Sequence, residues 1–273
     1  MPPAPPRPYV VAIANQKGGE GKTTTAVNLA ASLAAAEQRV LLVDMDPQSN
    51  ASSALGCGRG AAQQGTYELL IGAAAAADLV RPTELPTLSL LPATEHLAGA
   101  EVELVSVAER ERALARGLDP LRASHAFDFV LIDSPPSLGL LTVNTLVAAD
   151  AVLVPMQAKY FSLEGLSDLL GTMEAVRANF NPNLALDGIV FCQFDRRTNL
   201  ARQVVQEVQG HFGDQVYETR IPVNVRLSES PSFGKPALLY DIESKGAQAY
   251  LSLAREFLGR FASRTGAPSE ARP

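Results

Sequence analysis

The sequence predicts an α/β protein with a doubly wound, mostly parallel sheet that has helices on both faces. Short runs rich in valine, isoleucine and leucine recur along the chain, and most are followed by a stretch of helical periodicity. These runs are continuous rather than alternating, which indicates strands that are covered on both faces. Strands that alternate with helices in this way favour a parallel sheet.

Individual elements follow from where each apolar run begins and ends. Residues 56–86 are rich in alanine and glycine, and they predict loops with a short helix. The predicted strands are residues 9–14, 39–44, 88–92, 127–133, 151–156 and 186–194. The predicted helices are residues 21–36, 95–116, 138–148, 162–179, 200–212 and 244–261.

One domain accounts for most of the chain. Of its 273 residues, 47% are hydrophobic and 19% are charged, which is typical of a globular protein. Residues 9–263 contain no stretch that resembles a linker, so we predict a single domain there. The proline-rich residues 1–8 predict a flexible arm, and residues 264–273 predict a disordered tail.

Composition limits the classes of function. The net charge of −6 argues against a generally basic nucleic-acid-binding protein but leaves room for a local basic face. Cys57 and Cys192 are far apart and without clustered histidines, so a metal or iron–sulfur centre has little support. No apolar run could span a bilayer and the N-terminus has no signal-peptide core. We therefore expect a cytoplasmic protein that does not associate with a membrane.

A glycine-rich loop separates the first predicted strand from the first predicted helix. Glycines let the backbone wrap tightly, so that its N–H groups can point at phosphate oxygens. The helix that follows adds the positive end of its dipole. The loop glycines are Gly18, Gly19 and Gly21, with Glu20 between the last two. This arrangement predicts a phosphate-binding loop.

The polar residues of the loop have separate expected roles. Lys22 would reach the β- and γ-phosphates, the Thr23 hydroxyl would ligate Mg²⁺, and Thr24 could donate to the α-phosphate. The usual pattern places a glycine where Gln16 stands, and a second lysine, Lys17, precedes the glycines instead. Two lysines that flank one phosphate loop are a specific signal of a nucleotide-binding protein whose cofactors are ATP and Mg²⁺.

Carboxylates end two of the other predicted strands. Asp133 closes an apolar strand, the position from which a carboxylate holds Mg²⁺, usually through water. Asp44 and Asp46 leave the second strand on the same side, at the strand end where the phosphates would lie. Asp44 would support the loop lysines or the metal shell. For Asp46, one reading is a turn residue before Pro47, which is a common role for aspartate.

Three segments together resemble the ParA/Soj-type partition ATPases, which belong to the deviant Walker A class of P-loop NTPases in the MinD/ParA superfamily. They are KGGEGKT at residues 17–23, VDMDPQSN at 43–50 and DSPPSLGLLTVN at 133–144. The resemblance covers nearly the whole chain. It implies an ATP-sandwich homodimer that binds DNA non-specifically on the nucleoid, partitions a chromosome or plasmid, and hydrolyses ATP when a ParB-type partner stimulates it.

The resemblance also implies roles for particular residues. Lys17 would reach across the dimer interface to the partner's ATP, and Asp46 would orient the attacking water. With Lys22, these form the expected catalytic set. Glu20 departs from the family, where a small apolar residue is usual, so we expect its carboxylate to point away from the triphosphate.

The C-terminal half of the chain resembles the family's base-binding and DNA-binding segments. The positions matched to the adenine site are Phe194, Asp195, Pro222 and Asn224. The positions matched to the DNA-binding face are Arg197, Arg226, Lys235 and Lys245. Contacts of the second group would go to DNA phosphates and give a steep salt dependence.

Two alternatives share the phosphate loop. A MinD-like, membrane-associated positioning ATPase would need an amphipathic last helix that lies on lipid. Residues 244–261 have spaced apolar positions, but these favour a helix that faces the core. A metabolic enzyme related to nitrogenase reductase would need clustered cysteines, which Cys57 and Cys192 do not provide.

Overall fold

The structure is a computed structural model that describes residues 7–58 and 60–265. Its strands are Tyr9–Ile13 (β1), Val40–Asp44 (β2), Arg81–Pro82 (β3), Leu88–Leu91 (β4), Phe129–Asp133 (β5), Ala151–Gln157 (β6), Ala185–Phe194 (β7) and Val216–Pro222 (β8). They form one sheet in the order β3-β4-β2-β5-β1-β6-β7-β8. Adjacent strands run parallel except β3 and β4, which are antiparallel. The predicted fold class is confirmed.

Helices cover both faces of the sheet, because a parallel pair of strands needs a crossover connection. The helices are Lys22–Ala35 (α1), Asn50–Ala54 (α2), Thr66–Leu70 (α3), Ala76–Leu79 (α4), Leu97–Glu103 (α5), Ala113–Ser124 (α6), Leu140–Ala148 (α7), Tyr160–Asn179 (α8), Asn199–Phe212 (α9), Val225–Glu229 (α10), Ala237–Tyr240 (α11) and Lys245–Thr265 (α12).

Two hydrophobic cores lie on opposite faces of the sheet. Side chains of a strand alternate between the faces, so Val10 and Ala12 of β1 belong to one core and Val11 and Ile13 belong to the other. All four are fully buried. This explains why the strands read as continuous apolar runs in the sequence.

The predicted helix over residues 95–116 is wrong. The structure has α5, then short 3₁₀ turns, and a new helix, α6, that begins at Ala113. Glu109 has a φ of 53°, a left-handed conformation that a continuous right-handed helix cannot contain. The apolar periodicity continues past the break because both segments bury leucines, such as Leu97 and Leu114, in the same core. Periodicity alone therefore could not locate the break.

Strand β8 was not predicted, because it lies at the edge of the sheet and its exposed positions are polar. Tyr217 and Ile221 are buried, whereas Glu218 is exposed. The backbone N–H groups of Glu218 and Thr219 donate to the Glu256 carboxylate at 2.8 and 2.9 Å. A side chain that pairs these edge groups protects the strand from association with another chain.

The last helix packs on the sheet through its apolar face, as predicted. Tyr250, Leu253 and Phe257 are each at most 1% exposed. Arg264, in the last turn, forms an ion pair of 2.5 Å with Asp187, which is buried. Among the described residues, no helix is long and apolar enough to cross a membrane.

The predicted terminal segments fall mostly outside the described part of the chain. Residues 1–6 of the predicted arm and residues 266–273 of the predicted tail lie outside the described part of the chain. Helix α12 continues to Thr265, so residues 264 and 265 are helical rather than part of a tail.

The topology brings the predicted functional residues to one edge of the sheet. Strand β5 lies between β1 and β2, and Asp133 is the register partner of both Ile13 and Asp44. The phosphate loop begins just after Ile13. Parallel strands end at the same edge, so the loop and both carboxylates meet there.

Candidate nucleotide-binding site

The loop between β1 and α1 has the backbone conformation that its glycines allow. Gly19 has a φ of 78° and Gly21 a φ of 93°, which are left-handed values that favour glycine. A Cβ atom at Gly21 would also lie 3.2 Å from the Cβ of Cys192. The tight turn at Gly21 therefore depends on the missing side chain, and α1 starts at the next residue.

Lys22 is buried at the first position of α1, and its ammonium donates to the backbone oxygen of Lys17 at 3.0 Å. This bond folds the side chain back over the loop, where bound phosphates would lie. Burial lowers the pKa of Lys22, and the nearby carboxylates of Asp133, Asp46 and Glu20 oppose this effect. The carboxylates thus help to keep the lysine charged for an anionic ligand.

Asp133 has the strongest signature of a cation site. It is fully buried, and neither of its carboxyl oxygens has a hydrogen bond of ordinary geometry within the described residues. Burial raises its pKa well above the ordinary value, and the negative charge of Asp44 adds to the rise, while Thr23 and Lys22 oppose it. A buried carboxylate without a partner is costly. The neighbouring hydroxyl of Thr23 and the carboxylate of Asp133 are the oxygen ligands that fit Mg²⁺.

The described residues contain no cluster of three or more metal-binding side chains.

Asp44 is a support for the site rather than an open ligand. Its carboxylate accepts hydrogen bonds from the Ser52 hydroxyl at 2.6 Å, the Ser52 N–H at 2.8 Å and the Asp46 N–H at 3.1 Å. Burial raises its pKa to about 6, and these hydrogen bonds oppose the rise. Asp44 was expected to support either the loop lysines or the metal shell. Its hydrogen bonds instead show that it supports α2, through Ser52, and the turn at Asp46.

Asp46 is 5% exposed and lies beyond the end of β2. One of its oxygens accepts the N–H of Gln48 at 2.9 Å, which closes the turn around Pro47. Asp46 therefore closes a turn, and this role does not exclude its expected role of orienting the attacking water. Only one oxygen is used by the turn.

Lys17 is turned toward α8 of its own chain. Its ammonium donates to the backbone oxygen of Phe161, lies 3.6 Å from the Glu164 carboxylate, and stands 5.3 Å from the centre of the Phe161 ring. Phe161 itself is 71% exposed. The lysine lies at the surface beside the loop, from where it could reach another molecule.

The carboxylate of Glu20 is held by other residues. It accepts hydrogen bonds from the Gln157 N–H at 2.5 Å and the Ser162 hydroxyl at 2.9 Å. These donors lie at the end of β6 and the start of α8. These contacts direct the carboxylate toward β6 and α8; that it points away from bound phosphates stays a prediction.

The residues matched to the adenine site divide into two groups. Phe194 and Pro222 are register partners at the ends of β7 and β8, and both line one groove. The Asp195 carboxylate is instead paired with Arg197, which lowers its pKa to about 2. The Asn224 side chain caps α10 by accepting the Arg226 N–H at 3.0 Å.

The residues matched to the DNA-binding face also divide. Arg197 pairs with Asp195, Arg226 pairs with both Glu229 and Asp241, and Lys235 pairs with Glu84. Lys245 lines the same groove as Phe194 and has no acidic partner within the described residues. The structure does not bring the four cations together into one patch of unpaired charge.

Several residues of the site were not predicted. Ser52 holds Asp44, and its hydroxyl also accepts the Ala93 N–H at 3.0 Å. The Gln157 side chain donates to the Gly19 oxygen at 2.7 Å. Gln157 could have been found, because it is a polar residue at the carboxyl end of an apolar strand. Ser52 carries no such signal, because its role depends on how α2 folds back over Asp44.

These features define a P-loop nucleotide-binding protein of the α/β class: a glycine loop after β1, a buried lysine at the start of α1 and a buried carboxylate on the adjacent strand. Residues 9–186 match the family model of an AAA domain. The chain is 53% identical over 251 residues to the chromosome partitioning protein ParA of Caulobacter vibrioides, with 92% of this chain and 94% of that protein covered.

A second relative gives the same result. The chain is 50% identical over 247 residues to the sporulation initiation inhibitor protein Soj of Bacillus subtilis, with 90% of this chain and 97% of that protein covered. The chain belongs to the ParA/Soj family of chromosome-partitioning proteins.

One solved structure has a fold similar to that of this chain. The crystal structure of a cobyrinic acid a,c-diamide synthase from Mycobacterium smegmatis with bound ADP and magnesium has a TM-score of 0.81 and 36% sequence identity. The match covers 94% of this chain and 96% of that one. Although that protein carries the name of a metabolic enzyme, this chain has higher identity to the partition proteins.

Proposed function

We propose that this chain is a Mg²⁺-dependent ATPase that forms a homodimer with ATP, binds DNA without sequence preference, and partitions a chromosome or plasmid. A ParB-type partner would stimulate hydrolysis to ADP and phosphate and so release the protein from the nucleoid. Family membership supports the partition role, and the solved relative with bound ADP and magnesium supports the ligands.

The observation that carries the ATPase proposal is the pair formed by Lys22 and Asp133. A buried ammonium begins α1, directly after a loop shaped to surround phosphates, and a buried carboxylate without a hydrogen-bond partner among the described residues ends β5 beside it. In this proposal Lys22 binds the terminal phosphates, and Thr23 and Asp133 hold Mg²⁺. When bound, the metal neutralises charge on the phosphates.

Asp46, Asp44 and Lys17 position the attacking water, the turn that holds Asp46 and the ATP of the second copy. The carboxylate of Asp46 orients the attacking water with the oxygen that the turn leaves available. Asp44 and Ser52 keep that turn in place. Lys17 leaves its contacts with Phe161 and Glu164 and reaches the ATP of the second copy, which couples dimerisation to the nucleotide.

DNA binding should depend on the nucleotide. We expect the Asp46→Ala variant, which prevents turnover, to bind a random-sequence duplex with ATP and Mg²⁺ but not with ADP or without nucleotide. The affinity should fall steeply as salt rises, because binding at the phosphates releases counterions. Fluorescence anisotropy of a labelled duplex at several salt concentrations measures both effects.

The control for this experiment is the Lys22→Ala variant, which should not bind DNA in any nucleotide state. Binding that is equal with ATP, ADP and no nucleotide would contradict the switch. A complete lack of binding would remove the DNA part of the proposal and leave the ATPase part standing.

The MinD-like alternative is less well supported. Its lipid-binding helix would need an apolar face that is free, but Tyr250, Leu253 and Phe257 of α12 are buried against the sheet. Arg260 and Arg264 further tie the end of this helix to β7 and β8 through Val216 and Asp187.

A further inference from the structure

Two neighbouring residues of the phosphate loop are bonded to groups that lie outside it. The Gly19 carbonyl oxygen accepts the side-chain amide of Gln157 at 2.7 Å and that of Gln193 at 3.3 Å. The Glu20 carboxylate accepts the Gln157 N–H at 2.5 Å, and the Ser162 hydroxyl lies 2.9 and 3.1 Å from its two oxygens. Three elements outside the loop, β6, β7 and α8, therefore hold its glycine-rich segment.

The contact between Glu20 and Ser162 is buried. Glu20 is 6% exposed and Ser162 is 2% exposed, and a carboxylate in such a place is costly unless donors surround it. Ser162 is the third residue of the 20-residue helix α8, and the residue before this helix, Lys159, provides no side-chain cap. The positive end of the helix dipole therefore also stabilises the carboxylate. This environment is suited to a charged anchor.

Helix α8 lies close against the loop at a second place. A Cβ atom at Gly165 would lie 3.2 Å from the Cγ of Lys17 and 3.3 Å from the side-chain oxygen of Asn15. The Lys17 ammonium donates to the backbone oxygen of Phe161 in the first turn of the same helix. The beginning of α8 thus contacts the loop both before its glycines and between them.

The anchors fix the peptide group that joins Gly19 to Glu20. This peptide bond is trans, so its C=O and N–H point in opposite directions. Because the Gly19 oxygen is bonded to the Gln157 side chain, the Glu20 N–H points away from that side chain. Backbone N–H groups are the phosphate-binding groups of such a loop. With flexible glycines on both sides, the peptide group would otherwise take several orientations.

We propose that Glu20 is a positioning residue for nucleotide binding, and that its bond with Ser162 holds the N–H groups of the phosphate loop in the orientation that phosphates require. This inference rests on the proposed function and concerns how far the loop is formed before the nucleotide binds. Glu20 acts through the backbone and does not itself contact the nucleotide. A loop that is already ordered loses less conformational entropy when it binds a ligand.

The alternative is that Glu20 acts on the nucleotide only through its charge. A carboxylate repels phosphates, so a neutral replacement would then tighten binding, and more for ATP than for ADP because ATP carries more negative charge. The positioning role predicts weaker binding instead. It also predicts similar factors for ATP and ADP, because the loop N–H groups bind phosphates that both nucleotides have. The sign of the change distinguishes the two roles.

Isothermal titration calorimetry with Mg²⁺ and either nucleotide tests the proposal, with the Asp46→Ala protein as the parent to prevent turnover. Glu20→Ala should weaken the binding of ATP and ADP by about tenfold, because the loop loses its anchor. Ser162→Ala should weaken binding by about threefold, because the Gln157 N–H still holds the carboxylate. The double variant should lose about tenfold rather than the roughly thirtyfold of independent effects.

A conservative variant tests whether the bonds or the charge matter. Glu20→Gln keeps an oxygen that can accept the Gln157 N–H and an amide that can donate to the Ser162 hydroxyl oxygen. Both nucleotides should bind this variant within about threefold of the parent, because the anchor remains without its charge. Binding of Glu20→Gln as weak as that of Glu20→Ala would contradict an anchor made of hydrogen bonds.

The matched control removes another buried hydroxyl–carboxylate bond. The Tyr217 hydroxyl donates to Asp187 at 2.6 Å, near the start of β7 and thus at the opposite edge of the sheet from the loop. Tyr217→Phe should lower the melting temperature and leave the affinity for both nucleotides unchanged. If Glu20→Ala does not fold, Ser162→Ala decides by the same sign, because it keeps the carboxylate and removes one donor.

Each outcome has a separate meaning. Equal or tighter nucleotide binding in Glu20→Ala would overturn the inference, and so would effects of the Glu20 and Ser162 changes that simply add. In both cases the parent still binds ATP and the proposed function stands. If the parent does not bind ATP, or binds it no better than its Lys22→Ala variant, the proposed function itself fails.

Discussion

Replacement of Lys22 by alanine should abolish ATP binding at ordinary nucleotide concentrations. Its buried ammonium is placed over the loop by the Lys17 backbone oxygen, so it is already positioned for the terminal phosphates. A hydrogen bond to a charged group contributes about 1.5–3 kcal/mol, and removal of two such bonds corresponds to an affinity lower by about 10²–10⁴-fold. Isothermal titration calorimetry with ATP and Mg²⁺ measures the change.

Two controls make the Lys22 result specific. The Lys235→Ala variant removes a lysine whose partner is Glu84 on the surface, and it should bind ATP as the parent does. Lys22→Gln fills the buried space without the charge and should fail to bind ATP as well. Equal ATP affinity in Lys22→Ala and the parent would contradict the assignment of the phosphate loop.

Replacement of Asp46 by alanine should leave ATP binding intact and stop hydrolysis. The carboxylate lies past the end of β2 rather than in the phosphate loop, so it adds little to ground-state binding. A positioned group that activates or orients a nucleophile contributes about 10²–10⁴-fold to the rate, and the decrease should fall in that range. Phosphate release and ATP affinity, measured on the same preparation, separate the two effects.

The Asp46→Asn variant is the matched control, because an asparagine oxygen can still accept the Gln48 N–H that closes the turn. If Asp46 acts on water, the asparagine variant should be as inactive as the alanine variant. Near-normal hydrolysis in Asp46→Asn would instead mean that the residue only shapes the turn before Pro47.

Much of the fold could be predicted because it depends on local patterns. Continuous apolar runs located β1, β2, β5 and β7 to within about two residues of their observed ends. Strand β8 was missed because an edge strand has one polar side, as Glu218 shows. The break at Glu109 was missed because a left-handed residue leaves no mark in apolar periodicity.

The site was predictable where a residue type and its place on a strand are sufficient. Lys22 and Asp133 meet because parallel strands end at one edge, which the sequence already implies. The role of Ser52 depends on packing between distant segments, so no local sequence pattern predicts it. Arg197 and Arg226 show the same limit, because their ion pairs with Asp195 and with Glu229 are visible only in the structure.

The most direct test of the account is the mass of the Asp46→Ala variant in solution with ATP, with ADP and without nucleotide, each with Mg²⁺. Sedimentation velocity should show a dimer only with ATP, and the additional Lys17→Ala change should return it to a monomer, because Lys17 is proposed to contact the second copy's nucleotide. The same mass in all three nucleotide states would contradict the claim that ATP binding is the switch.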